Sequence, residues 1–200
     1  AEAFPAPQGE AAEGWGWKKV SEIVEIHDRG RIPIKESQRI AGNTPYCGAN
    51  GIIDYVDGYT HEGDFVLLAE DGGNFKGFEQ SAYLMSGKFW ANNHVHVLRG
   101  KEKLLDSKYL YFVLYFSDLT PYLTGATRPK LTQSALQKII IPIPYPNDPA
   151  RSLAEQRRIV ASLERIAEET RALDASLAQD LRDLEALEQS ILAAAFRGEV

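Results

Sequence analysis

The sequence predicts an α+β protein: a mixed or antiparallel, β-rich domain with short helices over residues 15–150, then a long C-terminal coiled-coil helix over 151–200. Three observations predict this. Between residues 15 and 146, Gly and Pro punctuate short apolar runs. Those runs are rich in β-branched and aromatic side chains, the composition of strands. From Leu153 to Phe196 there is neither Gly nor Pro, and apolar residues recur by sevens.

Taken in order, residues 1–14 are rich in Ala, Glu, Pro and Gly, with no basic stretch ahead of an apolar core. They are expected to be a leader, tag-like segment or linker rather than a signal peptide. The only Met is Met85, so the chain is not expected to begin at its own start codon. Lys18 to Ile26 predicts a helix. Ile52 to Val56, Phe65 to Leu68, Lys88 to Trp90, His94 to Leu98 and Ile139 to Ile143 predict strands. Ser107 to Ser117 is too long and apolar for a strand, and Asp106 can cap it, so it predicts a buried helix. Thr132 to Lys138 predicts a short helix capped by Thr132.

For the long helix, Ser152 and Glu155 have the spacing of a capping box, and Gly198 stands where a C-terminal cap is expected. Leu163, Leu177, Leu184 and Ile191 share one heptad position, interrupted by Thr170. Ile159, Ile166, Leu173, Leu187 and Ala194 share the facing one, interrupted by Asp180. This is a coiled-coil seam on a rod of roughly 65 Å. Such a stripe needs a partner helix, from a second copy or a longer parent chain, because a lone helix forgoes the burial that stabilises it.

Composition narrows the function. The chain has 200 residues, 44% hydrophobic and 25% charged, which fits one domain or one domain with an appendage. It is not the composition of a disordered or collagenous chain. No apolar run reaches the ~18 residues of a membrane span. Cys47 is the sole cysteine, which excludes an internal disulfide framework and predicts a cytoplasmic protein. The net charge of -6 argues at first against a nucleic-acid partner. Its distribution does not. In residues 86–140, Lys88, Arg99, Lys101, Lys103, Lys108, Arg128, Lys130 and Lys138 outweigh Glu102, Asp106 and Asp118. The acidic excess lies in the flanks.

Catalytic signatures are sparse. Gly87-Lys88 and Gly100-Lys101 lack the rest of a phosphate-binding loop, and no dinucleotide fingerprint follows a strand. His94 and His96 alternate on one strand face, but no third ligand has metal-site spacing, and a surface or groove pair is the expectation. Asp54, Asp57, Glu62, Asp64, Glu70 and Asp71 form an acidic stretch that suits turns better than paired catalysis. Cys47 is expected to be a small buried residue.

Four loops combine Gly with amides and cations: residues 48–51, 71–76, 92–94 and 124–130. Glycine lets a backbone approach closely, Asn pairs with adenine edges, and Arg or Lys pairs with guanine or phosphate. The candidate DNA face is therefore Arg29, Arg31, Lys35, Asn50, Asn74, Lys76, Asn93, His94, Arg128 and Lys130, with Arg128 and Lys130 foremost.

Longer motifs add a family resemblance. They are Trp15-Gly16-Trp17, Tyr46-Cys47-Gly48-Ala49-Asn50-Gly51-Ile52-Ile53 and Leu67-Leu68-Ala69-Glu70-Asp71-Gly72. More specific are Thr127-Arg128-Pro129-Lys130-Leu131, Ile139-Ile140-Ile141-Pro142-Ile143-Pro144, Ala154-Glu155-Gln156-Arg157-Arg158-Ile159-Val160, and the terminal Ser190 to Glu199. The chain resembles one target-recognition domain plus one long helix of the specificity subunit of type I restriction-modification enzymes.

The resemblance implies a non-catalytic reader of double-stranded DNA that directs methyltransferase and restriction subunits. It implies no cofactor in this chain, with S-adenosylmethionine, ATP and magnesium handled by those subunits. Family members usually carry two recognition domains and two helices, so this is half of a longer subunit or a naturally halved one. A homodimer through Ile159, Leu163, Ile166, Leu173, Leu177, Leu184, Leu187 and Ile191 is expected to read an inverted repeat. Two alternatives stand beside it: a coiled-coil protein–protein adaptor, and a metal-dependent nuclease using the Asp54–Asp71 carboxylates.

Overall fold

A computed structural model of the chain describes residues 12–125, 127 and 129–198. Most of residues 1–14, together with Arg128, therefore lies outside the described residues. The chain divides after Val160 into two units.

The first unit is α+β. Its strands are β1 (Trp15–Lys19), β2 (Val24–Ile26), β3 (Ala41–Gly48), β4 (Gly51–Val56), β5 (His61–Glu62), β6 (Phe65–Ala69), β7 (Ala82–Met85), β8 (Lys88–Ala91), β9 (Val95–Gly100) and β10 (Ile140–Pro144). One sheet has the order β2-β9-β6-β7 and is antiparallel throughout. A second, β4-β3-β8-β5, is mixed, because β3 and β8 run parallel. A two-stranded ribbon joins β1 to β10, Trp15 opposite Pro144 and Lys19 opposite Ile140. Strand β6 is buried along its whole length, as a central strand covered on both faces must be.

Helix α2 (Ser107–Phe116) covers the antiparallel sheet. Asp106 caps it, its Oδ1 accepting from the Lys108 and Tyr109 amides at 2.9 and 3.2 Å. Its inward face is Tyr109, Leu110, Val113 and Leu114. The buried Tyr109 hydroxyl donates to the Pro142 carbonyl at 2.7 Å, which ties α2 to β10. The short helix α3 (Gln133–Leu136) has Thr132 as its cap.

Three expectations fail. Lys18 to Ile26 is not one helix: only α1 (Val20–Ile23) makes a turn, between β1 and β2. Its β-branched residues lose little in strands, and β10 and β9 offer open edges. The long helix α4 (Pro149–Phe196) starts earlier than the Ser152–Glu155 box places it. Asp148 Oδ1 accepts from the Arg151 amide at 3.1 Å, with Pro149 at the first helical position. Ser152 is instead buried inside the helix, and Glu155 pairs with Arg158 at 2.7 Å. The third failure concerns His96, which is fully buried rather than at a surface or groove.

The first turns of α4 belong to the first unit. Ser152, Gln156 and Val160, spaced by four, face inward. Gln156 is fully buried: Oε1 accepts from the Asp106 amide at 2.9 Å, and Nε2 donates to Leu104 O at 3.1 Å and Ser152 Oγ at 3.0 Å. A Gln in an otherwise charged helix start is thus a buried splice to the loop that caps α2.

The second unit continues α4. Its seam residues Ile166, Leu173, Leu177, Leu184, Leu187 and Ile191 are all more than half exposed, Leu184 the most at 63%. Gly198, at φ +71° with its amide donating to Ala195 O, supplies the expected C-terminal cap.

Candidate nucleic-acid interface

The four polar loops meet around one carboxylate. Asp71 follows β6 and is 2% exposed, yet each of its oxygens lies beside a basic side chain. His94 Nδ1 lies 2.6 Å from Oδ1, and Lys130 Nζ lies 2.7 Å from Oδ2. Backbone bonds draw the same loops together: the Leu131 amide donates to Glu70 O at 2.7 Å and the Glu70 amide to His94 O at 2.8 Å. Asn50 reaches across from the β3–β4 turn, Nδ2 donating to Gly72 O at 3.1 Å. Between these groups lies a shallow cavity of about 220 Å³, lined by Gly48, Ala49, Asn50, Ile53, Asp71, Gly72, Asn92 and His94. The approach is close at Gly48, where a Cβ would stand 3.2 Å from side-chain atoms of both Asn92 and Ile53, tighter than ordinary contact.

A second set of ion pairs lies behind the first. Glu70 Oε2 accepts from Arg31 Nη1 at 2.7 Å, and the same nitrogen donates to Val95 O at 3.0 Å. Arg31 also approaches Asp28 at 3.4 Å. Asp28 Oδ2 lies 2.6 Å from His96 Nδ1, and His96 Nε2 lies 2.6 Å from Leu131 O. Both ring nitrogens of the buried His96 thus face an oxygen, one of the Asp28 carboxylate and one of the Leu131 carbonyl. The chain of contacts therefore runs from the 28–31 turn through β9 to the loop carrying Lys130.

These contacts set the carboxyl titrations. Burial pushes Asp28 up, but the His96 bond and charge, the Val97 amide and Arg31 outweigh it and hold it below the ordinary value. Burial likewise raises Asp71, and the Lys130 and His94 bonds and charges overcome it, again leaving a lowered pKa.

The predicted residues fall into two groups. Arg29, Lys35, Asn50, Asn74, Lys76 and Asn93 are exposed. His94 and Lys130 are half-buried at Asp71, and Arg31 is largely enclosed by Glu70, Asp28 and Val95 O. The structure brings Asn50, His94 and Lys130 to one place; Arg128 lies outside the described residues. Asp28, Asp71 and His96, which organise the site, are absent from the predicted face. Their signal was the acid beside each basic candidate, but the pairing spans up to 68 residues, which no local pattern reveals.

The acidic stretch is dispersed among cations: Asp54 with Arg39 at 3.0 Å, Glu70 with Arg31, and Asp71 with Lys130. Among the described residues no group of three or more His, Cys, Asp or Glu is placed to hold a metal ion. Cys47 is buried, and burial pushes its thiol up to about 11. No helix of the described residues is long and apolar enough to cross a membrane.

This arrangement, a β-rich unit with converging polar loops followed by a long helix with an open seam, defines the class of DNA specificity modules. The family model for the type I restriction modification DNA specificity domain matches residues 12–181, and the chain belongs to that family. A putative type I restriction enzyme specificity subunit of Haemophilus influenzae is 52% identical over 129 residues, 64% of this chain and 33% of that protein. A chain from a solved type I R-M system aligns over 100% of this chain and 50% of its own length, with TM-score 0.76 and 27% identity. The HsdS subunit of Thermoanaerobacter tengcongensis gives TM-score 0.64 at 26% identity, over 100% of this chain and 49% of its own. The chain thus spans half or less of the length of these relatives.

Proposed function

We propose that this chain reads the sequence of duplex DNA for a type I restriction-modification system and has no catalysis of its own. The observation that carries this is the convergence of four Gly-amide-cation loops on the Asp71–His94–Lys130 bridge, in a chain of the DNA specificity family. Asn50, Asn74, Asn93 and His94 supply amides and a ring for base edges in the major groove. Arg29, Lys35, Lys76 and Arg128 supply phosphate contacts. Lys130 and Arg31 act chiefly as struts, since internal carboxylates hold them.

The direction of methyltransferase and restriction subunits is part of the same proposal. Those subunits would bring S-adenosylmethionine, ATP and magnesium. The isolated chain, at net charge -6, is expected to bind DNA weakly, because phosphate neutralisation supplies most non-specific affinity. The exposed heptad seam of the second unit is proposed to pair with the same seam of a second copy, giving two readers and an inverted-repeat target.

The test is co-expression with methyltransferase subunits, followed by mapping of adenine methylation. A reproducible bipartite or palindromic motif is expected. Absence of any motif overturns the proposal, and metal-dependent cleavage by the purified chain alone would replace it with a nuclease.

A further inference from the structure

The loop after Asp71 carries a residue that the amide and cation pattern did not single out. Phe78 is 72% exposed, and its backbone lies at φ +66°, a left-handed conformation that bulky residues rarely adopt. Its surroundings make it rigid. Phe75, three residues earlier, is buried, and its carbonyl accepts from the Leu119 amide at 2.7 Å. The Phe78 amide donates to Tyr115 O at 2.9 Å. Gly77 lies flat on α2, where a Cβ would stand 2.7 Å from Phe116 O. The Phe78 ring meets Phe116 edge-on at 5.2 Å, and Phe116 stacks on Phe112 at 6.2 Å. The phenyl is therefore braced from one side and open to solvent on the rest.

Glycine or asparagine would suit this backbone better. A disfavoured backbone that holds an apolar ring in water is a feature of binding elements. The same loop exposes Asn74 and Lys76. The chemistry of the three together matches the major groove: an amide for adenine, an ammonium for phosphate, and an apolar ring for the one apolar group displayed there, the thymine C5 methyl. The ring rests on Phe116, which with Phe112 forms a half-buried aromatic pair on α2, while the other exposed positions of its own loop include Asn74 and Lys76; the test below separates a base contact from a protein contact.

We propose that Phe78 is a specificity-determining residue that contacts a thymine methyl of the DNA target. The proposal rests on the DNA-reading function above. Every adenine of the target supplies an opposing thymine, so the contact has a candidate at each A·T pair.

The experiment uses the chain assembled with its methyltransferase subunits and a duplex carrying the mapped methylation motif, at fixed salt. Thymines are replaced one at a time by deoxyuridine, which removes only the methyl. For the unmodified protein one replacement is expected to weaken binding about fourfold, the equivalent of one buried methyl. Phe78→Gly and Phe78→Asn, both compatible with the left-handed backbone, are expected to keep the melting temperature and abolish that penalty. The inference is overturned if no thymine shows a penalty, or if both variants retain it. Weakened association with the methyltransferase subunits at unchanged DNA affinity also overturns it and makes Phe78 a protein contact. Failure of the underlying reading is distinct: the unmodified protein would then show no sequence-dependent binding at all.

Discussion

The two units treat their leucines in opposite ways. In residues 65–69 every side chain is buried, and the charged groups around that strand are matched in pairs, Arg31 with Glu70 and Lys130 with Asp71. In residues 161–198 the leucines of a regular heptad stripe stand in solvent, and the ion pairs beside them, such as Arg165 with Glu169, are exposed and local. The first unit buries a core and pairs charges within itself; the second presents an apolar stripe of the kind that gains stability by packing on another helix. Stability of the first should therefore respond to its buried charges, and that of the second to concentration.

The largest effect is expected at Asp28. Its side chain is 6% exposed, and Asp28→Ala leaves the buried His96 Nδ1, the Val97 amide and the enclosed Arg31 without their shared carboxylate. Urea unfolding should show a loss of about 3–5 kcal/mol. A loss within about 0.5 kcal/mol would mean that the ion pairs do not organise the unit. Next comes Gln156→Ala, which leaves Leu104 O and the Asp106 amide without their partner. About 2–3 kcal/mol is expected from the same measurement.

Acid should separate the units further. Asp28 and Asp71 have lowered pKa values when folded, so the stability they contribute is present above the ordinary carboxylate range near pH ~4. It is lost as pH falls through their depressed values. Asp71→Asn should flatten that acid limb in a pH series of urea melts, and an unchanged limb would contradict the Asp71 pairing.

The smallest effect on unfolding of the first unit is expected from Leu184→Glu combined with Leu177→Glu, within about 0.5 kcal/mol. Sedimentation, by contrast, should show the mass fall from dimer to monomer. If the unmodified chain is already monomeric at high concentration, self-pairing through the seam is excluded.

Legibility in the sequence follows the same division. Helix α2, the seam and strands such as β6 were readable because burial and periodicity are local signals. Strand β3 was not. It carries Gly42, Pro45 and Gly48, residues that argue against a strand paired on both sides. The structure accommodates them through a register shift between Ala41 and Thr44, with Gly42 pressed so closely on Val56 and Asp57 that any Cβ would clash. Strands β1 and β2 were hidden for a related reason: their partners lie more than 70 residues away, so a helix-like run was pulled into two sheets. Of the candidate site, residue types at the loops were legible, but the carboxylates that spend Arg31 and Lys130 internally were not.

The ribbon of β1 with β10 has a further consequence. Trp15 and Pro144 are opposite one another, and α4 begins five residues later, at Pro149. The chain between them, which carries all four loops, enters and leaves through one antiparallel clasp of five residue pairs. A unit whose chain enters and leaves through adjacent paired strands can vary the loops between them without moving the point at which α4 starts.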